Sequence, residues 1–118
     1  MIRVLLVEDD PVIRDTTCYF LKSRQNFEVV CAETGGEALS HARENFDVIL
    51  MDILLPDTNG MDLCQRLRSW HHCPIIFTSC LDDTDTVVRA LELGGDDFLT
   101  KPFTQEKLKE TIKKWVNK

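Results

Sequence analysis

Val48-Ile49-Leu50-Met51-Asp52-Ile53-Leu54-Leu55-Pro56-Asp57-Thr58-Asn59-Gly60 is the stretch on which the fold turns. Four apolar residues end abruptly on a carboxylate, and a turn built from Pro56, Asp57, Asn59 and Gly60 follows at once. A short apolar run bounded by turn residues reads as a strand buried on both faces, as in a parallel sheet. Asp52 then stands at the carboxyl end of that strand. In open parallel α/β sheets, ligands bind in the crevice outside those ends. Taken alone, Asp52 reads equally well as the cap of a turn; the other strand ends separate the two readings.

Before this stretch, Ile2 to Val7 is a β-rich apolar run closing on Glu8-Asp9-Asp10. Pro11 suits the first position of a helix capped by Asp10, and Val12, Ile13, Phe20 and Leu21 recur at helical spacing. Phe27 to Cys31 is a second strand. Thr34-Gly35-Gly36-Glu37 has capping-box spacing, ahead of an apolar helix face of Ala38, Leu39, Ala42 and Phe46. After Gly60, Leu63, Cys64, Leu67 and Trp70 mark a third helix. Pro74 opens a fourth strand, Ile75 to Ser79, which runs into Asp82-Asp83-Thr84-Asp85. Val87, Val88 and Leu91 give a fourth helix its stripe, ended by Gly94-Gly95. Asp97 to Thr100 is a short fifth strand closed by Lys101-Pro102. Phe103 and Leu108 bracket Thr104 as a hydrophobic staple, and Leu108, Ile112, Trp115 and Val116 line one side of a last helix whose other sides carry five lysines. Strands alternating with helices five times predict one domain over residues 1–118, a doubly wound α/β sandwich. Right-handed crossovers bring every strand's carboxyl end to one pole.

The bulk composition narrows the function. The chain is 43% hydrophobic and 29% charged, the balance of a globular domain. A net charge of −6 disfavours direct nucleic-acid binding by a basic surface. Five cysteines, an odd number without a C-x-x-C pair, read as reduced thiols of a cytoplasmic protein. No apolar run approaches the roughly 20 residues that cross a bilayer, and the first run stops at Glu8-Asp9-Asp10, unlike a signal peptide.

Four strand ends bring polar chemistry to the shared pole: Glu8 and Asp9, Asp52, Ser79, and Lys101. Clustered carboxylates repel one another unless a cation or proton intervenes. Oxygen-only ligands suit a hard divalent ion such as Mg²⁺, which binds through one or two carboxylates plus phosphate and water. A lysine and a hydroxyl opposite are donors for phosphate oxygens. Each residue has a plainer use, as helix cap, backbone partner or surface charge. Their appearance at successive strand ends points to a phosphoryl group at Asp52.

Leu5-Leu6-Val7-Glu8-Asp9-Asp10, Met51-Asp52-Ile53-Leu54-Leu55-Pro56-Asp57-Thr58-Asn59-Gly60 and Leu91-Glu92-Leu93-Gly94-Gly95-Asp96-Asp97-Phe98-Leu99-Thr100-Lys101-Pro102-Phe103 together resemble the receiver domains of two-component response regulators. The likeness covers the whole chain and is greatest to receivers that carry a winged-helix DNA-binding domain. It implies a flavodoxin-like sheet of strand order 2-1-3-4-5. It implies that Asp52 accepts a phosphoryl group from a sensor histidine kinase. Asp9, Asp52 and the backbone carbonyl of Leu54 would bind Mg²⁺ directly, and Glu8 through a water. Lys101 would pair with the phosphoryl oxygens, with a cis peptide before Pro102. Ser79 would turn its hydroxyl onto the phosphate beside Cys80, and Phe98 would swing inward behind it. A homodimer through helix 4, strand 5 and helix 5 follows from the same likeness, with Arg89, Glu92, Asp96, Asp97 and the last helix's lysines supplying both signs of charge.

The chain departs from the family in places. Ser79 stands for the usual threonine, Cys80 and Gly95 for alanine, Phe98 for tyrosine, and Val87 for a basic residue. Leu54 and Leu81, two residues beyond Asp52 and Ser79, offer no group to orient a hydrolytic water, which implies a long-lived phosphorylated state. Other readings fit less well. A Mg²⁺-dependent aspartyl phosphohydrolase wants a second acid just after its nucleophile, and Asp52-Ile53-Leu54 has none. A flavodoxin-like carrier wants phosphate-cradling amides in the first loop, which here is acidic. A stand-alone phosphorelay receiver shares the chemistry and differs only in output.

Overall fold

The computed structural model describes residues 1–24, 26–81 and 83–116. Asp82 of the expected polar loop and Lys118 of the lysine set lie outside these. Ten elements alternate: β1 (Ile2–Val7), α1 (Pro11–Lys22), β2 (Phe27–Ala32), α2 (Gly35–Ser40), β3 (Val48–Asp52), α3 (Gly60–Leu67), β4 (Ile75–Ser79), α4 (Thr84–Glu92), β5 (Asp97–Thr100) and α5 (Gln105–Val116). All four strand pairings are parallel, in the order β2-β1-β3-β4-β5.

Side chains that alternate along the strands divide the core in two. Leu5, Val7, Ile49, Met51, Ile75 and Phe77 point to one face and meet Ala38 of α2, Leu63, Cys64 and Leu67 of α3 and Ala90 of α4. Val4, Leu6, Val48, Leu50 and Ile76 point to the other, against Phe20 and Leu21 of α1 and Leu108 and Ile112 of α5. Every residue of β3 and β4 is buried, because both faces are covered.

Caps start the helices where the sequence implied. Asp10 accepts from Val12 and Ile13 N–H, and Thr34 from Glu37 N–H. Thr104 accepts from Lys107 N–H, with Phe103 and Leu108 packed into the same cluster. Gly94, at φ 118°, turns the chain out of α4.

Four apolar assignments need correction. Val12 is 72% exposed and Trp70, beyond the end of α3, 51%. Helix α2 stops at Ser40, so Ala42 and Phe46 are buried from the segment between α2 and β3 rather than from a helix face. In α4 the expected stripe faces outward: Val88 and Leu91 are exposed, Val87 is half-buried, and only Ala90 is buried. Helical spacing marks the apolar side of a helix; it does not say how much of that side the sheet covers.

Candidate functional site

Backbone bonds bring the strand ends together. Glu8 N–H donates to Ala32 O, Ile53 N–H to Thr78 O, and Lys101 N–H to Ser79 O at 2.9 Å. The register pairs Val7 with Met51, Asp52 with Thr78, and Ser79 with Thr100. Glu8, Asp52, Ser79 and Lys101 therefore all follow or close neighbouring strands at one edge of the sheet.

Lys101 is the hub. Its Nζ lies 2.5 Å from Glu8 Oε1 and 2.9 Å from Asp52 Oδ2. Glu8 and Asp52 are both buried, while Asp9 is exposed beside them. Carboxylate oxygens of Glu8, Asp9 and Asp52 all lie within 4.8 Å of one another. Burial pushes the Glu8 carboxyl up to about 7; Lys101 opposes the shift and Asp52 adds to it. Burial alone would lower the Lys101 ammonium, but its bonds to Glu8 and Asp52 outweigh that and hold it above its usual value. One cation thus serves two acids, leaving negative charge uncompensated at the Asp9 side, where a hard cation fits an all-oxygen donor set.

The turn after β3 aims Asp52. Leu54 N–H donates to Asp52 Oδ1 at 3.1 Å, and Gly60 N–H to Ile53 O at 2.6 Å. A Cβ on Gly60 would lie 2.2 Å from Asp52 O, so only glycine lets α3 start this close to the strand. Ser79 is buried at the end of β4, and its Oγ accepts from Leu81 N–H at 3.0 Å, leaving the hydroxyl proton to be donated elsewhere. Cys80 is exposed at the wall of a cavity of about 380 Å³ that Val12, Ile13, Pro102 and Phe103 also line. The Lys101–Pro102 peptide is cis. Phe98 is half-buried against the α2–α3–α4 side of the core. Leu54 and Leu81 are 57% and 42% exposed at the rim.

Two long-range ties had no local signature, one beside the site and one at the opposite edge of the sheet, where β4 and β5 begin. Asp57, read as a turn residue, also receives the N–H groups of Gly35 and Gly36 at 2.8 and 3.0 Å, fixing the β3–α3 turn to the start of α2. Those bonds hold its carboxyl below the usual value. Arg68 clamps Gly94 O, Cys73 O and the Asp96 carboxylate, and Asp96 in turn accepts from Ile75 N–H. Only the residue types, an Asp in a Pro/Gly turn and an Arg at a helix end, hinted at either.

A doubly wound parallel sheet with acids and a lysine gathered at its carboxyl pole defines a class of α/β domains whose ligands bind beyond the carboxyl ends of the strands. Within that class, the profile of the response regulator receiver domain matches residues 4–113, and the chain belongs to that family. It is a receiver domain of a two-component system, a signalling domain whose family partners sensor histidine kinases and binds Mg²⁺ at an acidic pocket. It is 37% identical over 106 residues to the uncharacterized transcriptional regulatory protein YrkP of Bacillus subtilis (strain 168). That match covers 90% of this chain but 46% of YrkP, so the chain spans about half the length of this relative. Among solved structures, a two-component response regulator from Clostridium difficile superposes with a TM-score of 0.95 at 27% identity, covering 100% of this chain and 98% of that one. The CheY-like receiver domain protein of Methanospirillum hungatei JF-1 gives 0.92 at 30% identity, covering 99% and 94%. The BeF3-activated DrrB receiver domain gives 0.92 at 29%, covering 100% and 99%. Among the described residues, no helix is long and apolar enough to cross a membrane.

Proposed function

We propose that this receiver is a phosphorylation-dependent switch in which Asp52 takes the phosphoryl group from the phosphohistidine of a sensor histidine kinase. The observation that carries the reading is Lys101 Nζ within hydrogen-bond reach of both Glu8 and Asp52, with Asp9 completing the acidic cluster. Asp9, Asp52 and the Leu54 carbonyl would hold Mg²⁺, with Glu8 acting through water. Bound there, Mg²⁺ supplies charge neutralisation for the transferring group. An Asp52 oxygen attacks phosphorus in line as the bond to the imidazole nitrogen breaks; positioning, more than covalent machinery, sets the rate. Lys101 moves its ammonium onto the phosphoryl oxygens, and Ser79 donates its hydroxyl proton to another. Phe98 packs inward behind Ser79, and Cys80 narrows the approach.

The output is transcription, through a DNA-binding domain outside these residues. YrkP, which is named a transcriptional regulator and is about twice as long as the matched region, supports this reading. The site of action is the cytoplasm, and the activated domain pairs with a second copy through α4, β5 and α5. Incubation with Mg²⁺ and a small phosphodonor, followed by intact-mass measurement, tests the chemistry. The wild type is expected to gain one phosphoryl group, and Asp52→Asn or chelated protein none. A gain that survives in Asp52→Asn overturns the assignment.

A further inference from the structure

We propose that the Asn59–Gly60 peptide is a deamidation site locked by the fold, which converts to isoaspartate only in molecules whose β3–α3 turn has opened. Of the four asparagines, Asn26, Asn45, Asn59 and Asn117, only Asn59 precedes a glycine. Glycine has no side chain to shield its nitrogen or restrict its backbone, so an unconstrained chain can bend that nitrogen onto the neighbouring amide carbon. The Gly60 nitrogen attacks the side-chain carbonyl carbon of Asn59, its proton passing to solvent. The bond from that carbon to the side-chain nitrogen breaks, and ammonia leaves. Water then opens the five-membered imide at either carbonyl. One opening gives aspartate; the other routes the backbone through the side chain as isoaspartate and lengthens it by one carbon. Overall, water is consumed and ammonia released, with no change of oxidation state.

Asn59 is exposed, so access of water does not limit the reaction; backbone geometry does. The residue is extended, at φ −92° and ψ 135°. Ring closure requires rotation about its Cα–C bond until the Gly60 nitrogen faces the side-chain carbon. Both sides of that peptide plane are held. Gly60 N–H donates to Ile53 O at 2.6 Å, and Leu63 N–H donates to Asn59 O at 3.0 Å. The side chain is held as well, since Asn59 Oδ1 caps α3 by accepting from Met61 N–H at 2.7 Å. Asp57 adds a further restraint, because its bonds to Gly35 and Gly36 tie the same turn to α2. Closure of the imide therefore waits for local opening of the turn.

The two products are unequal in the fold. Aspartate caps a helix as well as asparagine does. Isoaspartate adds a backbone carbon immediately before Gly60, which is buried where even an added Cβ would lie 2.2 Å from Asp52 O and 2.9 Å from Ile53 Cα. A molecule modified while open is thus barred from rebuilding the turn that aims Asp52. A molecule that stays folded is spared, so the modification records a history of opening.

The test incubates the whole chain in mildly alkaline buffer, folded and in urea, and maps the peptide that contains Asn59 over time. Conversion in urea is expected to outpace conversion in the folded protein by at least about tenfold, a ratio set by how rarely the turn opens. Asp57→Ala, which unties the turn from α2, should speed conversion of the folded protein. After removal of urea, unaged Asn59→Asp should regain a cooperative thermal transition close to that of the wild type, whereas the isoaspartyl form should not. Equal conversion with and without urea overturns the lock. An isoaspartyl form that regains the wild-type midpoint, or an Asn59→Asp variant that fails as the isoaspartyl form does, overturns the exclusion of the longer backbone. The comparison of folded and urea-treated wild type stands even if Asp57→Ala folds poorly.

Discussion

Lys101 answers two carboxylates with one charge, so its removal should be felt in folding as well as in chemistry. In Lys101→Met, Glu8 and Asp52 would face each other without a cation. Leaving buried polar groups unpaired costs about 1–3 kcal/mol, and urea denaturation without Mg²⁺ should show a loss of that size. Added Mg²⁺ should then stabilise the variant more than the wild type, since a cation on the same acids restores what the lysine supplied. An unchanged midpoint would mean that solvent already screens the pair. Leu54 and Leu81 are expected to act on the lifetime of the phosphoryl group instead. Both are exposed at the rim, and neither can orient a water. Leu81→Glu introduces such a group and should speed loss of the phosphoryl group roughly tenfold, read as a time course of intact mass. An unaltered decay would exclude this position from control of hydrolysis.

At the scale of elements, α2 shows how a turn residue supports a helix. Six residues beginning Gly35-Gly36 are too short and too flexible to hold by propensity alone. Asp57 supplies partners for two of the free N–H groups at its start. Because those bonds lower its carboxyl pKa from 3.8, their stabilisation is fully present above that value and is lost as pH falls through the lower folded value. Asp57→Asn should therefore lower the thermal midpoint at neutral pH, with the gap to wild type closing under acid. A gap independent of pH would mean that the charge contributes nothing. The same scale explains Gly95 in place of alanine: an added Cβ would lie 2.5 Å from the ring of fully buried Phe77 and 3.0 Å from Ala90 O. Gly95→Ala should cost about 1–3 kcal/mol as overpacking, measured by denaturation. Strand ends and caps were legible because each depends on a few adjacent residues, such as Asp52 before Pro56 or Thr34 before Glu37. The pole of Glu8, Asp52, Ser79 and Lys101 followed from them, since parallel strands share one end. The Arg68–Asp96 clamp and the Asp57 tie join residues more than twenty positions apart, and no local period records such contacts. Helix α4 misled for a different reason: its apolar residues are real, but the sheet covers only Ala90.

That uncovered side of α4 is the face through which the proposed dimer would form. Of the charges expected to pair between copies, Asp96 is held by Arg68, while Asp97 accepts from Trp115 Nε1 and lies 3.8 Å from Lys114, all within one chain. Arg89 and Glu92 remain exposed, beside exposed Val88 and Leu91. Solvated ion pairs contribute only about 0–1 kcal/mol each, so in the proposed dimer charge would set the alignment of two copies rather than their affinity. Burying the apolar residues would supply the affinity, at about 25 cal/mol per Å² removed from water. In the proposed switch, phosphoryl transfer at Asp52 would reach this face through Ser79 and Phe98, which lies on β5 beside Asp97. Beryllium fluoride, which activated the DrrB receiver, serves as the phosphoryl mimic. With it and Mg²⁺, the sedimentation coefficient should shift from monomer to dimer at micromolar concentration. Leu91→Glu should still accept a phosphoryl group at Asp52 yet stay monomeric, because it places a charge where the apolar contact forms. Arg89→Ala should weaken association less. A wild type that sediments as a monomer with the mimic bound would remove α4 from the interface, and the switch would then act on its output within a single chain.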